Sequence, residues 1–477
     1  MISKKWVRSL VGLAVVMSAA VAAPGASPSS PSVSAAPATE LGAGGEFHPL
    51  TPERVLDTRT GLDVAPLGRK PTSNAPTSAA ARTFDLDILG RGGVPANRSS
   101  VLGVVLNVTV ANPTHAGFLA MYPKGFDIGA NGENISSLIN FNPGDSVPNL
   151  SIVAVGDDDL ISFNPVTGGK NGQIDVIVDV VGWISTSGHG TNGARLFPVT
   201  PGRVLDTRTV PNPLGAGNPI PERSTLKLRI RGVNAVDPTQ IAIVPNSGDV
   251  TAVMVNLTLV NTRPTASATF VSATPDPVAA GEVPTTSSSN VRAGTVKANM
   301  AIVPIAADGT ISLFNRAGDL DLVVDVLGYF RSSDDDTTRT GRIIPLEAPF
   351  RAFDTRLPEF QNKPLQFGSS EDWSFKSFVN SVTLNGSSVG NQTALIGNLT
   401  GTDLRQDPAT FLQMYPAGVP ERPKSSNINV FTGQSVPNMS LLKYGAVEDD
   451  PYVMTAFNRA GTLHYLLDVY AIVLDEA

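Results

Sequence analysis

Cysteine is absent from all 477 residues, which excludes disulfides, thiolate metal sites and a thiol nucleophile. Charge is sparse, with 16% Asp, Glu, Lys and Arg and a net charge of −7. Without basic clusters the chain has no footprint for nucleic acid, because phosphate contacts need grouped Lys and Arg. Histidine occurs only as His48, His115, His189 and His464, and no two of these share a position in the repeats described below. There is no His-Glu-x-x-His helix and no Gly-rich phosphate loop opening a helix. The sequence reads as a non-enzyme with no catalytic residues, no cofactor site and no metal site.

What is abundant is Gly (44) and Pro (38), a mixture suited to short strands joined by many turns. The first 22 residues read as a signal peptide: Lys4, Lys5 and Arg8, an apolar run from Leu10 to Val21, then Ala20-Val21-Ala22 for the peptidase. That run is shorter than the ~20 apolar residues of a spanning helix, so no membrane span is expected in the mature chain. No cysteine follows it for a lipid anchor, and Ile472 to Ala477 lacks a wall-sorting signal. Secretion is the expectation, with release or non-covalent attachment to the cell surface. Residues 23–46, rich in Ala, Pro and Ser, read as a disordered spacer.

The chain then repeats itself. Arg54-Val55-Leu56-Asp57-Thr58-Arg59 recurs as Arg203-Val204-Leu205-Asp206-Thr207-Arg208 and, degraded, as Arg351-Ala352-Phe353-Asp354-Thr355-Arg356. The aspartates lie 149 and 148 positions apart. Asn107, Asn256 and Asn398 follow, each within an apolar run and each two residues before a threonine. Pairs of asparagines nine apart come next: Asn140 and Asn149, Asn290 and Asn299, Asn429 and Asn438. Each copy closes on an apolar strand with one aspartate, Asp179, Asp325 or Asp468. A period near ~145 residues exceeds that of solenoid units, so these are whole domains, at 47–185, 194–331 and 342–475. Asp334-Asp335-Asp336 marks an extended joint.

Within each copy the local code is strand and turn. Ile174 to Val181 and Val101 to Val110 are apolar at nearly every position, as strands buried on both faces are. Asn142-Pro143-Gly144 and Asn171-Gly172 are turn formers. No stretch carries a capped helical period. The fold expected is all-β, three tandem jelly-roll-like β-sandwiches, with a closed barrel as the alternative.

The Phe-x-Pro…Arg-Val-Leu-Asp-Thr-Arg opening, the Asn-Val-Thr middle and the Asp-Val-x-Gly-Tyr close resemble a repeat of secreted actinobacterial proteins. The resemblance covers Phe47 to about Leu474. It departs in the third copy, at Ala352-Phe353 and Ala471-Ile472. It implies an extracellular accessory domain that contacts cell wall or glycan, and it supplies no ligand-binding residue set. A purely structural, self-associating spacer is the alternative; a glycan hydrolase is a third. The sequence leaves the oligomeric state open.

Some residues suggest chemistry. Asp175 and Asp179 share a strand face, as do Asp321 and Asp325; in the third copy the pair is His464 and Asp468. The first member is expected in water at the strand mouth and the second tied into the fold. Asp157-Asp158-Asp159 lacks EF-hand spacing and reads as a solvated turn. Tyr122 and Tyr415 are candidate sugar platforms, while Trp183 and Tyr329 suit a core. Arg59, Arg208 and Arg356 are expected to fork onto Asp179, Asp325 and Asp468. Asn107, Asn149 and Asn164 are expected to satisfy buried backbone groups.

Overall fold

The computed structural model describes residues 7–9, 44–62, 70–72, 83–129, 136–168, 172–186, 193–209, 211–236, 239–265, 267–333, 338–384 and 387–476. Most of the export segment and spacer, His189 and the Asp334–Asp336 joint lie outside these residues.

The first repeat contributes β1 (Phe47–Asp57), β2 (Phe84–Asp87), β3 (Val101–Ala111), β4 (Gly117–Pro123), β5 (Ile139–Phe141), β6 (Ser146–Ala154), β7 (Leu160–Thr167) and β8 (Gly172–Ser185). They form two antiparallel sheets, ordered β1-β8-β3-β6 and β2-β7-β4-β5. Eight strands woven this way are a jelly roll. The second repeat matches it with β9 (Ala194–Asp206), β10 (Ser224–Arg229), β11 (Val250–Asn261), β12 (Thr269–Thr274), β13 (Ser289–Val291), β14 (Thr295–Pro304), β15 (Thr310–Asn315) and β16 (Asp321–Ser332). The third has β17 (Ile343–Asp354), β18 (Ser370–Ser374), β19 (Gln392–Arg405), β20 (Ala409–Pro416), β21 (Ile428–Phe431), β22 (Val436–Lys443), β23 (Asp450–Asn458) and β24 (Thr462–Leu474). Both repeat the same sheet orders. The sheets keep open edges, so the barrel alternative is not the one adopted.

The burial pattern explains the strand code. Every residue of β3 is buried, because the inner sheet packs on its own outer sheet and on the neighbouring repeats. Outer strands alternate: in β10, Leu226 and Leu228 are buried between exposed Lys227 and Arg229. At the β8 bulge a Cβ on Gly182 would lie 2.3 Å from the Phe47 ring, so that position needs glycine.

The three inner sheets converge. Strands β6, β14 and β22 contact one another, giving the molecule a pseudo-threefold axis. The first and second inner sheets join where Ala194 pairs with Phe47. Gly45 and Ile343 exchange backbone hydrogen bonds of 2.9 and 2.8 Å, tying the entry of the first repeat to β17. Gly45 and Glu46, which the sequence assigns to the spacer, are therefore buried structure. Val7–Ser9 pairs in parallel with β18.

Candidate functional site: the seams between repeats

Asn107, Asn256 and Asn398 occupy one register position, each opposite the aspartate of its domain's closing strand. Their side chains leave their own domains. Asn107 donates to the Ser287 carbonyl of the second repeat at 2.6 Å, Asn256 to Ser426 of the third at 2.6 Å, and Asn398 to Ser137 of the first at 2.8 Å. The three contacts run first to second, second to third and third to first, which closes a ring.

The second set of asparagines completes it. Asn149 donates to Asn398 Oδ1 at 3.0 Å, Asn438 to Asn256 Oδ1 at 2.9 Å and Asn299 to Asn107 Oδ1 at 3.5 Å. Each also donates to a carbonyl of its own domain: Leu138, Asn427 and Ser288 respectively. Asn149 Oδ1 accepts from the Met439 amide and Asn438 Oδ1 from the Met300 amide. All six asparagines are buried. They do satisfy backbone groups, and they do so across domain boundaries. Asn164 stays within its repeat, donating to Thr83 Oγ1 at 3.0 Å.

The Asp-Thr-Arg element differs from the sequence expectation. Arg59 does not fork onto Asp179. It folds back on Asp57, with Nε to Oδ1 at 2.9 Å and a second nitrogen to Oδ2 at 2.7 Å. Arg208 with Asp206 and Arg356 with Asp354 do the same. The reason is local: β1 ends at Asp57 and a turn begins at Thr58, so strand alternation does not reach Arg59. Asp179 pairs instead with Arg54, directly opposite on β1, with Nε to Oδ1 at 2.9 Å. Arg203–Asp325 and Arg351–Asp468 repeat the fork at 2.9 and 2.8 Å. Arg54 also donates to the Thr285 carbonyl of the second repeat at 2.6 Å, so this charge cluster borders the seam.

Electrostatics follow position. Burial pushes the Asp57, Asp206 and Asp354 carboxyls up, but hydrogen bonds from Arg59, Arg208 and Arg356 outweigh it and hold them below the usual carboxylate range. Burial wins at Asp179 and Asp325, which are raised despite Arg54 and Arg203.

The expected first members of the carboxylate pairs are not in water. Asp175 and Asp321 are buried, because Thr58 and Thr207 reach them at 3.4 and 2.9 Å while accepting the Val176 and Leu322 amides. Asn112 and Arg263 hold their other oxygens. In the third copy Thr355 meets His464 Nδ1 at 3.1 Å. Tyr122 and Tyr415 are buried and give no sugar platform. Trp183 is core, stacked on His48 at 4.1 Å, and Tyr329 stacks on Phe197 at 5.6 Å. Asp157–Asp159 form a short 3-10 turn, with Asp159 paired to Arg98 at 3.4 Å.

Two features of the seams have no sequence signal as a motif. A cavity of about 20 Å³ between the first and second repeats is lined by Asn107, Asp179, Ser287 and Met300. It has room for a water, far below the several hundred Å³ of a ligand pocket. Glu46, Arg195 and Arg342 each directly precede equivalent residues, Phe47, Leu196 and Ile343. The ring brings them together, buried, with Arg195 Nε 3.1 Å and Arg342 Nε 4.0 Å from Glu46 Oε1.

Among solved structures the chain is similar to one in the atomic structure of Sulfolobus Turreted Icosahedral Virus. Identity is 8% and the TM-score 0.16, over 94% of this chain and 100% of that one. It is also similar to one from the triple jelly roll fold and turret assembly of an archaeal virus, at 9% identity and TM-score 0.15, over 83% and 82%. At those scores the likeness adds nothing to the fold read from the sheets. No family model and no curated protein matches the chain.

Proposed function

We propose that the chain is a secreted, non-catalytic surface protein, with its three jelly rolls acting as one rigid body that contacts the cell envelope or an extracellular glycan. The observation supporting this reading is where the repeated polar residues go. Asn107, Asn149 and their counterparts, with the Arg54–Asp179 type of fork, are engaged in folding each repeat and joining it to the next. Envelope contact therefore falls to the exposed outer loops, displayed three times in fixed relative positions. Rigid display of weak sites raises avidity when all can engage. A purely structural building block is the second reading, favoured by the opposite charges on equivalent sheet edges described below.

The test is co-sedimentation of the full secreted chain with purified actinobacterial envelopes, with and without envelope polysaccharide as competitor. Pelleting that the polysaccharide reverses supports glycan contact. A chain that stays in the supernatant at every envelope concentration overturns envelope contact and leaves the structural reading.

A further inference from the structure

Strands β2 and β10 are the same element of successive repeats, and each lies at the end of its outer sheet. Their registers fix the equivalence: Leu86 sits opposite Ile161 and Leu228 opposite Ile311. Asp85 and Asp87 therefore hold the positions that Lys227 and Arg229 hold in the second repeat. Asp87, Lys227 and Arg229 are exposed and Asp85 is half-buried. The surroundings extend the contrast. The turn with exposed Asp157 and Asp158 leads into β7 beside β2, and Arg231 lies two residues past the end of β10. Internal partners remain on both sides: Lys124 pairs with Asp85, Arg98 with Asp159 and Asp308 with Lys227, and Arg229 donates to the Arg231 and Asp308 carbonyls and to Asn246 Oδ1. The third repeat has buried Asp372 and Ser374 at these positions and offers neither stripe.

We propose that β2 of one molecule pairs antiparallel with β10 of a second copy of this chain, extending the outer sheets from molecule to molecule. Three arguments carry this. Both strands are sheet ends with no strand on their outer side among the described residues, and an open edge is a template for another strand. Both belong to homologous sandwiches, so their shapes suit a local twofold centred on Leu86 and Leu228. That register sets Asp85 against Arg229 and Asp87 against Lys227, with opposite charges directly across, the favourable cross-strand arrangement. Two β2 edges, or two β10 edges, meet with like charges, which penalises those alternatives. Each molecule carries one edge of each sign, so the contact is head-to-tail and propagates. The inference goes beyond the proposed envelope contact and holds with or without it.

The test is sedimentation velocity of the full secreted chain across a concentration series at low and high salt, with no envelope present. The expected result is a mass that rises with concentration at low salt and falls back toward one chain at high salt. Lys227→Asp with Arg229→Asp makes both edges acidic; Asp85→Lys with Asp87→Lys makes both basic. Each variant is expected to associate at least roughly tenfold more weakly, and an equimolar mixture of the two to recover association. Asp87→Lys alone, at an exposed position, is the second variant should the double basic change disturb folding. One-chain mass for the parent at every concentration overturns the proposal. So does undiminished association of the reversed variants, or failure of the mixture to recover it.

Discussion

At the scale of single residues, the ring depends on amides. Asn149 is fully buried, donates to Leu138 and Asn398 and accepts from Met439. Asn149→Ala leaves buried partners without hydrogen bonds, so it should cost about 2–3 kcal/mol, read as a lower urea midpoint. The Asp-Arg pairs respond to acid. Asp206 has a lowered carboxyl pKa in the folded chain, so the folded state binds fewer protons than the unfolded one near pH 4. Its contribution is present above that pH and lost as pH falls through the folded value. Asp206→Asn should therefore destabilise at neutral pH, with the gap to the parent narrowing in acid unfolding measurements. The sequence marks these residues correctly as a set, since each asparagine and aspartate recurs. It does not reveal their partners. Arg54 and Arg59 both lie within reach of Asp57 and Asp179, and only the end of β1 at Asp57 decides which arginine takes which carboxylate.

At the scale of elements, hydrophobic periodicity reads well. The fully apolar runs are inner-sheet strands and the alternating ones are outer-sheet strands. The sequence cannot say why the inner strands are apolar on both faces, because the second face is supplied by another repeat. Gly328 illustrates this. A Cβ there would lie 2.7 Å from Leu441 of the third repeat, so Gly328→Ala should cost about 1–3 kcal/mol in thermal denaturation, although Ala471 fills the same position in the third copy. Within the closing strand, His464 replaces the aspartate of the other copies. Thr355 Oγ1 accepts the Tyr465 amide and lies 3.1 Å from His464 Nδ1. Burial lowers the His464 pKa, so the folded chain binds fewer protons than the unfolded one just below pH 6.5. Stability present above that pH should decline as pH falls, and His464→Gln should remove this part of the slope in a pH series of urea midpoints.

At the scale of the whole molecule, three repeats that look independent in sequence form one assembly with shared polar seams. Calorimetry of the full chain should show a single dominant transition, because separating any repeat exposes buried asparagines on two others. Glu46 is the one acid among three equivalent positions that otherwise carry arginine. Glu46→Gln leaves Arg195 and Arg342 buried together without it and should cost about 3 kcal/mol, lowering that transition. The repeat period is legible from the chain alone. Closure into a ring is not, since no local pattern states that Asn107 of one copy faces Asn299 of the next.

The entry and exit of the ring lie side by side. Gly45 bonds to Ile343, Leu474 bonds to Arg342, and a Cβ on Gly44 would touch both Arg342 and Leu474 at 3.0 Å. A pull applied between these two points is resisted first by the few backbone bonds along Arg342 and Ile343, in the manner of a zipper. The asparagine seams contribute none of these bonds. Tension would therefore peel the entry segment from β17 while the rest of the ring keeps its shape, making that short junction the mechanical fuse of the molecule.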